Sequence, residues 1–550
     1  MSFLRRQSAS LLSATRRRLF SSTTTASGLS KYGLGGQNWR QFNPESYQEL
    51  IYQALSKDVS YFEVAGQEGG DIAMVGAIQS ALERNPGFLS SPITVTARLG
   101  YRNLDASMGG PEASEQIQNK PMSGDVVLTQ PPEEGNKNNN VAYDTPSNVV
   151  HNLSADYILK AVESSPLLEL QEMENLRLVF LLHNPEVQVV DLLKENPTAD
   201  SEARQAFIQE RWNPAMEVLQ EYSTSTNSTD VSFGICSNGL GIPTADNHPM
   251  HLDIETIVQA ANKYDHLSTV QLPANLLEKN GWDVARKIKA ETSSVNVSAM
   301  RPLTCYPDLG TGSGYPFRLV DYSLPTLEDN SVGTIQPSGS GGPGMGLRYT
   351  NDMTGIPSVY QATLQAAMSH FDAEELIEIK QERELTTEER ETLDGCKLMQ
   401  SMIHDLDNQL ADIRSFAAHE DELYGRIIPL IHDTFELMDD TTSDVLQAYF
   451  AAYAVAVRYA IATKTREVLK DGETGNNPST GITYSDIPQS MTLQDYALRH
   501  MVAEKSFDRI VIGASTMQDF DNQTELMATI DSEGESPLDK IASEGKSEEV

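Results

Sequence analysis

The sequence predicts an α/β fold, and the order of its elements favours a (β/α)8 barrel. Eight short runs rich in β-branched, aromatic and aliphatic residues alternate along the chain with amphipathic stretches of helical period. Because alternating strands and helices build parallel βαβ units, eight such units are enough to close a barrel. A doubly wound open sheet has the same alternation and is the competing architecture.

The elements are read in chain order. The predicted strands are Tyr32–Gly35, Val59–Val64, Ile93–Arg98, Leu178–His183, Val231–Cys236, Leu267–Leu272, Val295–Met300 and Arg509–Gly513. Amphipathic stretches predict helices over Ser46–Ser56, Met74–Arg84, Ala155–Ser164, Ala203–Tyr222, Ile254–Tyr264 and Pro273–Ile288. The fourth strand is the most informative, because its continuous apolar run indicates burial on both faces and ends on His183. Barrels build active sites at that end of a strand, although a hydrogen-bonded core histidine explains the same run.

Two long interruptions break the alternation. Residues 104–150 are rich in Gly, Pro and Asn, which predicts a loop insertion inside the barrel. Residues 306–484 begin with a Gly-rich loop and become strongly helical over 358–470, which predicts a packed helical layer. The first seven barrel strands therefore occupy residues 30–305, and the last helix and strand occupy 485–530.

The two termini have compositions of their own. Residues 1–25 hold five Arg and six Ser and no acid, which is typical of an organellar transit peptide. The three arginines at 16–18 favour the mitochondrial matrix, with a plastid as the alternative destination and a disordered basic tail as the other interpretation. Residues 531–550 carry seven acids against two lysines and predict a disordered acidic tail.

Charge and cysteine content exclude several function classes. The formal charge of the 550-residue chain is −37, which argues against nucleic acid and anionic membranes as partners. The three cysteines are far apart and form no CxxC pair, so neither a disulfide framework nor a thiolate metal site is predicted. The longest apolar stretch, Val445–Ala462, is interrupted by Gln447 and Arg458, which favours a buried helix over a membrane span.

Several segments together resemble the aldo-keto reductase family, which has a (β/α)8 barrel with NADP(H) at the strand ends. The resemblance is carried by Tyr32-Gly-Leu-Gly-Gly, Ile93-Thr-Val-Thr-Ala-Arg-Leu-Gly-Tyr, the LLHNPE segment that contains His183, Ser232-Phe-Gly-Ile-Cys-Ser-Asn and Val511-Ile-Gly-Ala-Ser-Thr. It implies hydride transfer between a nicotinamide and a carbonyl or alcohol substrate. The match covers about residues 30–305 and 485–530 in the family's order.

The resemblance implies a four-residue catalytic site. His183 matches the family's histidine, Glu63 stands at the position of its aspartate and Arg98 at that of its lysine. Glu68 stands where the family has the tyrosine that donates a proton. A carboxylate beside an arginine is held ionised, because the cation lowers its pKa, so Glu68 is expected to be a poor acid. The site is therefore incomplete.

The resemblance also implies a nucleotide site. It places seven residues at the cofactor, namely Ser237, Asn238 and Gln271 at the nicotinamide carboxamide, Gly513, Ala514 and Ser515 at a phosphate, and Gln523 at the adenine. Backbone N–H groups at a helix start suit a phosphate. Asp519 lies where an Arg or Gln commonly faces the adenosine phosphate, so the choice between NADP and NAD stays open.

Two functions remain. The first is an aldo-keto reductase-like oxidoreductase acting on a small carbonyl or alcohol substrate. The second is a catalytically silent barrel that serves as a binding or assembly module, with a protein partner bound through the helical insertion at 358–470. A metal-dependent hydrolase is disfavoured, because the ten histidines are scattered and none lies at ligand spacing from His183.

Overall fold

A computed structural model of the chain describes residues 29, 31–36, 42–64, 69–103, 125–127, 149–225, 231–244, 247–292, 294–305, 317–319, 356–410, 440–470, 476–477, 482–483, 491–533 and 538. The predicted transit peptide at 1–25 and Glu68 lie outside these residues. Most of the loop predicted at 104–150, the Gly-rich segment after 305 and the acidic tail at 531–550 lie outside them as well.

Eight strands form one closed, parallel barrel. They are β1 (Tyr32–Gly35), β2 (Tyr61–Val64), β3 (Ile93–Leu99), β4 (Leu176–His183), β5 (Val231–Cys236), β6 (Leu267–Pro273), β7 (Asn296–Met300) and β8 (Arg509–Gly513). Each strand pairs with the next one along the chain, and β8 pairs with β1, where Tyr32 lies opposite Ile510. All eight predicted strands are confirmed, with ends that differ by at most two residues. Closure excludes the open sheet.

Helices follow the strands around the outside of the barrel. They are α1 (Pro44–Ser56), α2 (Gly70–Arg84), α3 (Ala155–Glu163), α4 (Val189–Glu195), α5 (Ser201–Ser225), α6 (Ile254–Lys263) and α7 (Asn280–Glu291). The start predicted for the last of these, at Pro273, is wrong. The Asn275 side chain accepts hydrogen bonds from the amides of Leu277 and Glu278, which holds a turn there and delays the helix.

In the described part of the predicted insertion, four helices lie between β7 and β8. They are α8 (Ile356–His370), α9 (Glu374–Glu382), α10 (Thr387–Gln409) and α11 (Asp440–Lys470). α8, α10 and α11 share an apolar cluster in which Tyr360, Tyr449 and Tyr453 are in mutual contact. The chain returns to the barrel through α12 (Leu493–Ala503), and α13 (Met517–Ser532) follows β8. Over the described part of the chain, no helix combines the length and apolarity needed to cross a membrane.

Alternation along the strands decides which side chains enter the barrel. Val179 and Leu181 of β4 form a small apolar cluster with Cys236 and Met300, separate from the main core that lies between the sheet and its helices. Side chains two residues apart on a strand point to the same face. His183 therefore continues the interior row of Val179 and Leu181 at the carboxyl end of the barrel.

Candidate active site at the barrel mouth

Three polar side chains from different strands meet inside the barrel. The Arg98 Nη2 of β3 lies 2.8 Å from the Glu63 carboxylate of β2 and donates to the Gln271 amide oxygen of β6 at 3.2 Å. The Gln271 amide nitrogen in turn donates to Glu63. The Glu63 side chain is 4% exposed and that of Arg98 is 17% exposed, so this is a largely desolvated ion pair. Its charges are compensated within the protein.

Sulfur atoms line the interior next to this ion pair. The Met300 thioether lies 3.8 Å from Arg98 Nη2 and 3.7 Å from the Cys236 thiol. Burial raises the pKa of Cys236 to about 12, so the thiol is neutral at physiological pH. In the described part of the interior, the Glu63–Arg98 ion pair therefore lies beside the uncharged sulfur groups of Met300 and Cys236.

His183 is half-buried beside this network. Burial lowers the pKa of His183 well below its usual value, and the positive charge of Arg98 lowers it further. The imidazole is therefore neutral at pH 7, with one N–H donor and one acceptor nitrogen. No group within the described ranges hydrogen-bonds to these ring nitrogens, so both are available to a ligand.

A second histidine, His151, was not predicted as part of the site, and it holds His183 in place. The Nε2 of the fully buried His151 is 2.7 Å from the backbone carbonyl oxygen of His183, and Gln188 donates to its Nδ1 at 2.7 Å. A carbonyl oxygen only accepts, so Nε2 carries the proton. Burial lowers the pKa of His151 to about 4, which keeps it neutral. It is thus a positioning residue.

Tyr101 is the other residue missing from the predicted site. Its ring lies edge-on to both imidazoles, with ring centroids 4.7 Å from His151 and 5.1 Å from His183. Its hydroxyl accepts a hydrogen bond from the Asn184 amide at 3.1 Å. Among the described residues, none accepts a hydrogen bond from the Tyr101 hydroxyl. A phenol in this position is able to donate to a bound oxygen.

The loops after β4 and β5 are tied together by side chains. Asn184 has a left-handed backbone, with φ of 51°, and its side-chain oxygen accepts from the Asn238 amide at 3.1 Å. The buried Glu186 carboxylate accepts from the Ser237 hydroxyl and from the Gly239 amide, both at 2.8 Å. The half-buried Asn238 side chain has no hydrogen-bond partner within the described residues.

The start of α13 is already occupied by a carboxylate of the protein. Asp519 accepts from the amides of Ser515 and Thr516 at 3.2 and 3.1 Å, and Thr516 caps the helix in return. This reciprocal arrangement is a capping box. Gln523 accepts from the Tyr32 hydroxyl at 2.8 Å and donates to the carbonyl of Gly513 at 3.0 Å.

The structure brings together three of the four residues predicted for catalysis. Glu63, Arg98 and His183 line one end of the barrel, and Glu68 lies outside the described residues. The predicted cofactor residues all lie at the carboxyl ends of β5, β6 and β8 or on the helix that follows. His151 and Tyr101 could have been noticed only as polar residues flanking a predicted loop, because their partners are distant in sequence.

The predicted residues fit a nicotinamide nucleotide at one end and not at the other. Within the described residues, nothing hydrogen-bonds to the Asn238 side-chain amide or to the His183 ring nitrogens, and these groups suit a carboxamide and a carbonyl oxygen. At the α13 end, the Asp519 carboxylate takes the amides that a phosphate would use, and it would repel a 2′-phosphate. The start of α13 therefore does not fit a phosphate while Asp519 holds these two amides.

Comparisons with known proteins assign no family. No family model matches the chain, and no curated protein matches it. Two solved structures from Pseudomonas aeruginosa, each described as a candidate aldo-keto reductase, are similar to it. One has 12% identity and a TM-score of 0.29 over 53% of this chain and 80% of its own. The other has 12% identity and a TM-score of 0.28 over 51% and 75%. The barrel assignment rests on the strand order of this chain.

Proposed function

We propose that this chain is an oxidoreductase of aldo-keto reductase type that acts on a small carbonyl or alcohol substrate. The observation that carries the proposal is the half-buried His183 beside Tyr101 and Arg98 at the carboxyl end of the barrel, whose two ring nitrogens have no hydrogen-bond partner in the described part of the chain. Active sites of (β/α)8 enzymes are built at this end. In our proposal residues 1–25 direct the protein to the mitochondrial matrix, with a plastid as the alternative.

The residues of the chain would act on the substrate oxygen. A bound reduced nicotinamide would supply the hydride, with Asn238 placed to hold its carboxamide. The neutral His183 ring would donate one hydrogen bond to the carbonyl oxygen and so polarise it. The Tyr101 hydroxyl, which accepts from Asn184, keeps its own proton for the developing alkoxide. Burial raises the pKa of Tyr101, so this phenol stays protonated across the physiological range.

Asp519 supports NADH rather than NADPH as the reductant. Its carboxylate lies at the first turn of α13, where the sequence resemblance places the adenosine end of the nucleotide. Two negative groups at this position repel each other, and the effect is largest when neither has a cation beside it. Within the described residues, backbone amides donate hydrogen bonds to the Asp519 carboxylate, and no cation forms an ion pair with it.

A silent barrel that serves as a binding module is the second candidate. Ser237 donates to Glu186, and Gln271 is held between Glu63 and Arg98, so two of the three predicted carboxamide contacts are committed internally. In that case the helical insertion would carry the interaction with a partner. Its described helices, α8 to α11, form apolar clusters of their own.

Titration of the full chain with NADH and NADPH, followed by nucleotide fluorescence, separates the two candidates. We expect saturable binding of NADH, weaker binding of NADPH, and carbonyl-dependent oxidation of NADH. His183→Ala should bind NADH with similar affinity and lose about a hundredfold or more in kcat. If neither nucleotide binds at millimolar concentration, the oxidoreductase proposal fails and the binding module is favoured.

A further inference from the structure

Glu186 is a carboxyl group fully buried between two loops of the barrel mouth. It follows β4, and its two oxygens accept from the Ser237 hydroxyl and the Gly239 amide, both of which follow β5. These two bonds, each 2.8 Å long, are side-chain links between the two loops. The contact is close, because a Cβ at Gly239 would lie 3.1 Å from Cγ of Glu186.

Among the described residues, no cation forms an ion pair with this carboxyl group. Within the described residues, the titratable groups that interact electrostatically with Glu186 are Tyr101 after β3 and Cys236 at the end of β5. Burial raises the pKa of both, so both are neutral at physiological pH. Burial also raises the pKa of Glu186 to about 7, and the hydrogen bonds from Gly239 and Ser237 oppose this shift.

In both protonation states of Glu186 its carboxyl group can hydrogen-bond to the Ser237 hydroxyl, but the donor differs between the two states. When Glu186 is ionised, the Ser237 hydroxyl must donate its proton to the carboxylate. When Glu186 is protonated, its own O–H can donate to Ser237 Oγ, and the Ser237 proton becomes available to another acceptor. The Gly239 amide donates to the carboxyl group in both states.

We propose that Glu186 is a proton-controlled latch that joins the loops after β4 and β5 and sets the donor direction of Ser237. In the protonated state the latch is closed, and the fully buried Ser237 hydroxyl accepts the carboxyl proton of Glu186. In the ionised state the buried charge favours opening of the two loops, since opening returns the carboxylate to water. The latch requires no nucleotide, so it is independent of the function proposed above.

Hydrogen exchange of the full chain as a function of pH tests the latch. A closed-state pKa near 7 and an open-state value near 4.5 predict that the opening equilibrium at the Gly239 amide rises about tenfold between pH 6 and pH 8. The measured rates are corrected for intrinsic exchange. Glu186→Gln mimics the protonated acid, since its amide nitrogen donates to Ser237 and its oxygen accepts from Gly239. This variant should show no such rise.

Ser237→Ala provides an independent variant if Glu186→Gln does not fold. It removes one donor that stabilises the ionised carboxylate and so raises the closed-state pKa, and the pH at which the rise in Gly239 exchange levels off should move upward. Leu240 and Ile242, which follow in the same loop, report general loosening. The latch is overturned if the wild type shows no rise at Gly239, if Glu186→Gln shows the same rise, or if Ser237→Ala leaves the pH at which the rise levels off unchanged.

Discussion

The ends of β3 and β4 and the ends of β5, β6 and β8 face the same barrel mouth, but their polar groups are used differently. At the first pair, surrounding contacts hold the rings of His183 and Tyr101, and no described residue hydrogen-bonds to the His183 ring nitrogens or accepts the Tyr101 hydroxyl proton. At the second set, Ser237, Gln271 and the amides at the start of α13 are bonded to acids of the protein.

A binding site must orient its side chains and must also leave hydrogen-bonding groups available to a ligand, and the two regions differ in the second requirement. His151 orients His183 through its backbone carbonyl, and Tyr101 does so through the edge of the ring. Neither residue hydrogen-bonds to the His183 ring nitrogens. At the ends of β5, β6 and β8 the acids Glu63, Glu186 and Asp519 accept the hydrogen bonds that a ligand would otherwise accept. A ligand there must compete with an internal carboxylate, so its affinity depends on the cost of displacing that carboxylate.

The largest expected effect concerns Glu63 and Arg98, which connect the two sides through Gln271. Glu63→Gln or Arg98→Met alone should lower the free energy of unfolding by about 3–5 kcal/mol, because each leaves an uncompensated buried charge. The double variant removes both charges and should recover most of that loss. Urea unfolding of the four proteins gives the coupling energy.

Lys57→Met with Asp521→Asn is the matched control, because that ion pair is at the surface, with side chains 35% and 51% exposed. Its coupling should be below about 1 kcal/mol. Equal coupling for the two pairs would show that the interior of the barrel is as well solvated as its surface.

A smaller effect is expected on the His183 side on acidification. The folded-state pKa of His151 is about 4 against 6.5 in the unfolded chain, so the unfolded state binds more protons between these values. Its contribution to stability is present above pH 6.5 and is lost as pH falls toward 4, by roughly 3 kcal/mol in all.

His151→Gln retains a side-chain donor for the His183 carbonyl and does not titrate. Unfolding of the two proteins should therefore differ by an amount that shrinks as pH falls from 7 to 4.5. A difference that stays constant over this range would mean that the pKa of His151 is the same in the folded and the unfolded protein.

The smallest expected effect is at Asp519. Asp519→Ala breaks the capping box of α13 and should lower stability by about 1 kcal/mol. The same change frees the amides of Ser515 and Thr516, so the affinity for NADPH should rise relative to NADH. Gln518→Ala, at an exposed position in the same turn, is the control and should leave the ratio of the two Kd values unchanged. An unchanged ratio in Asp519→Ala would place the nucleotide elsewhere.

The barrel could be predicted from the sequence because its signals are local. Each strand is a short apolar run, and the order of strands and helices limits the possible topologies. The error at Pro273 has a local cause of a different kind, since the Asn275 side chain forms a turn where the amphipathic pattern suggests a helix. Side-chain capping competes with periodicity and carries a weaker sequence signal.

The site was less predictable because its bonds join residues that are distant in sequence. His183 could be proposed from its place at a strand end, and Glu63 with Arg98 from the resemblance to the aldo-keto reductase family. That Gln271 would lie between those two charges, or that Glu186 would accept from Ser237, depends on side-chain rotamers and on the packing of separate loops. No periodic pattern encodes such pairings.

The pairing of β8 with β1 has a consequence for how the chain folds. Tyr32 of β1 can pair with Ile510 only after β8 has been synthesised, and residues 301–508 lie between β7 and β8. A chain emerging from a ribosome therefore carries seven strands of an open sheet, with two unpaired edges, until almost all of it has appeared. Early folding of α8, α10 and α11 would shorten the distance that β8 has to search, so the insertion would act as an internal aid to barrel closure.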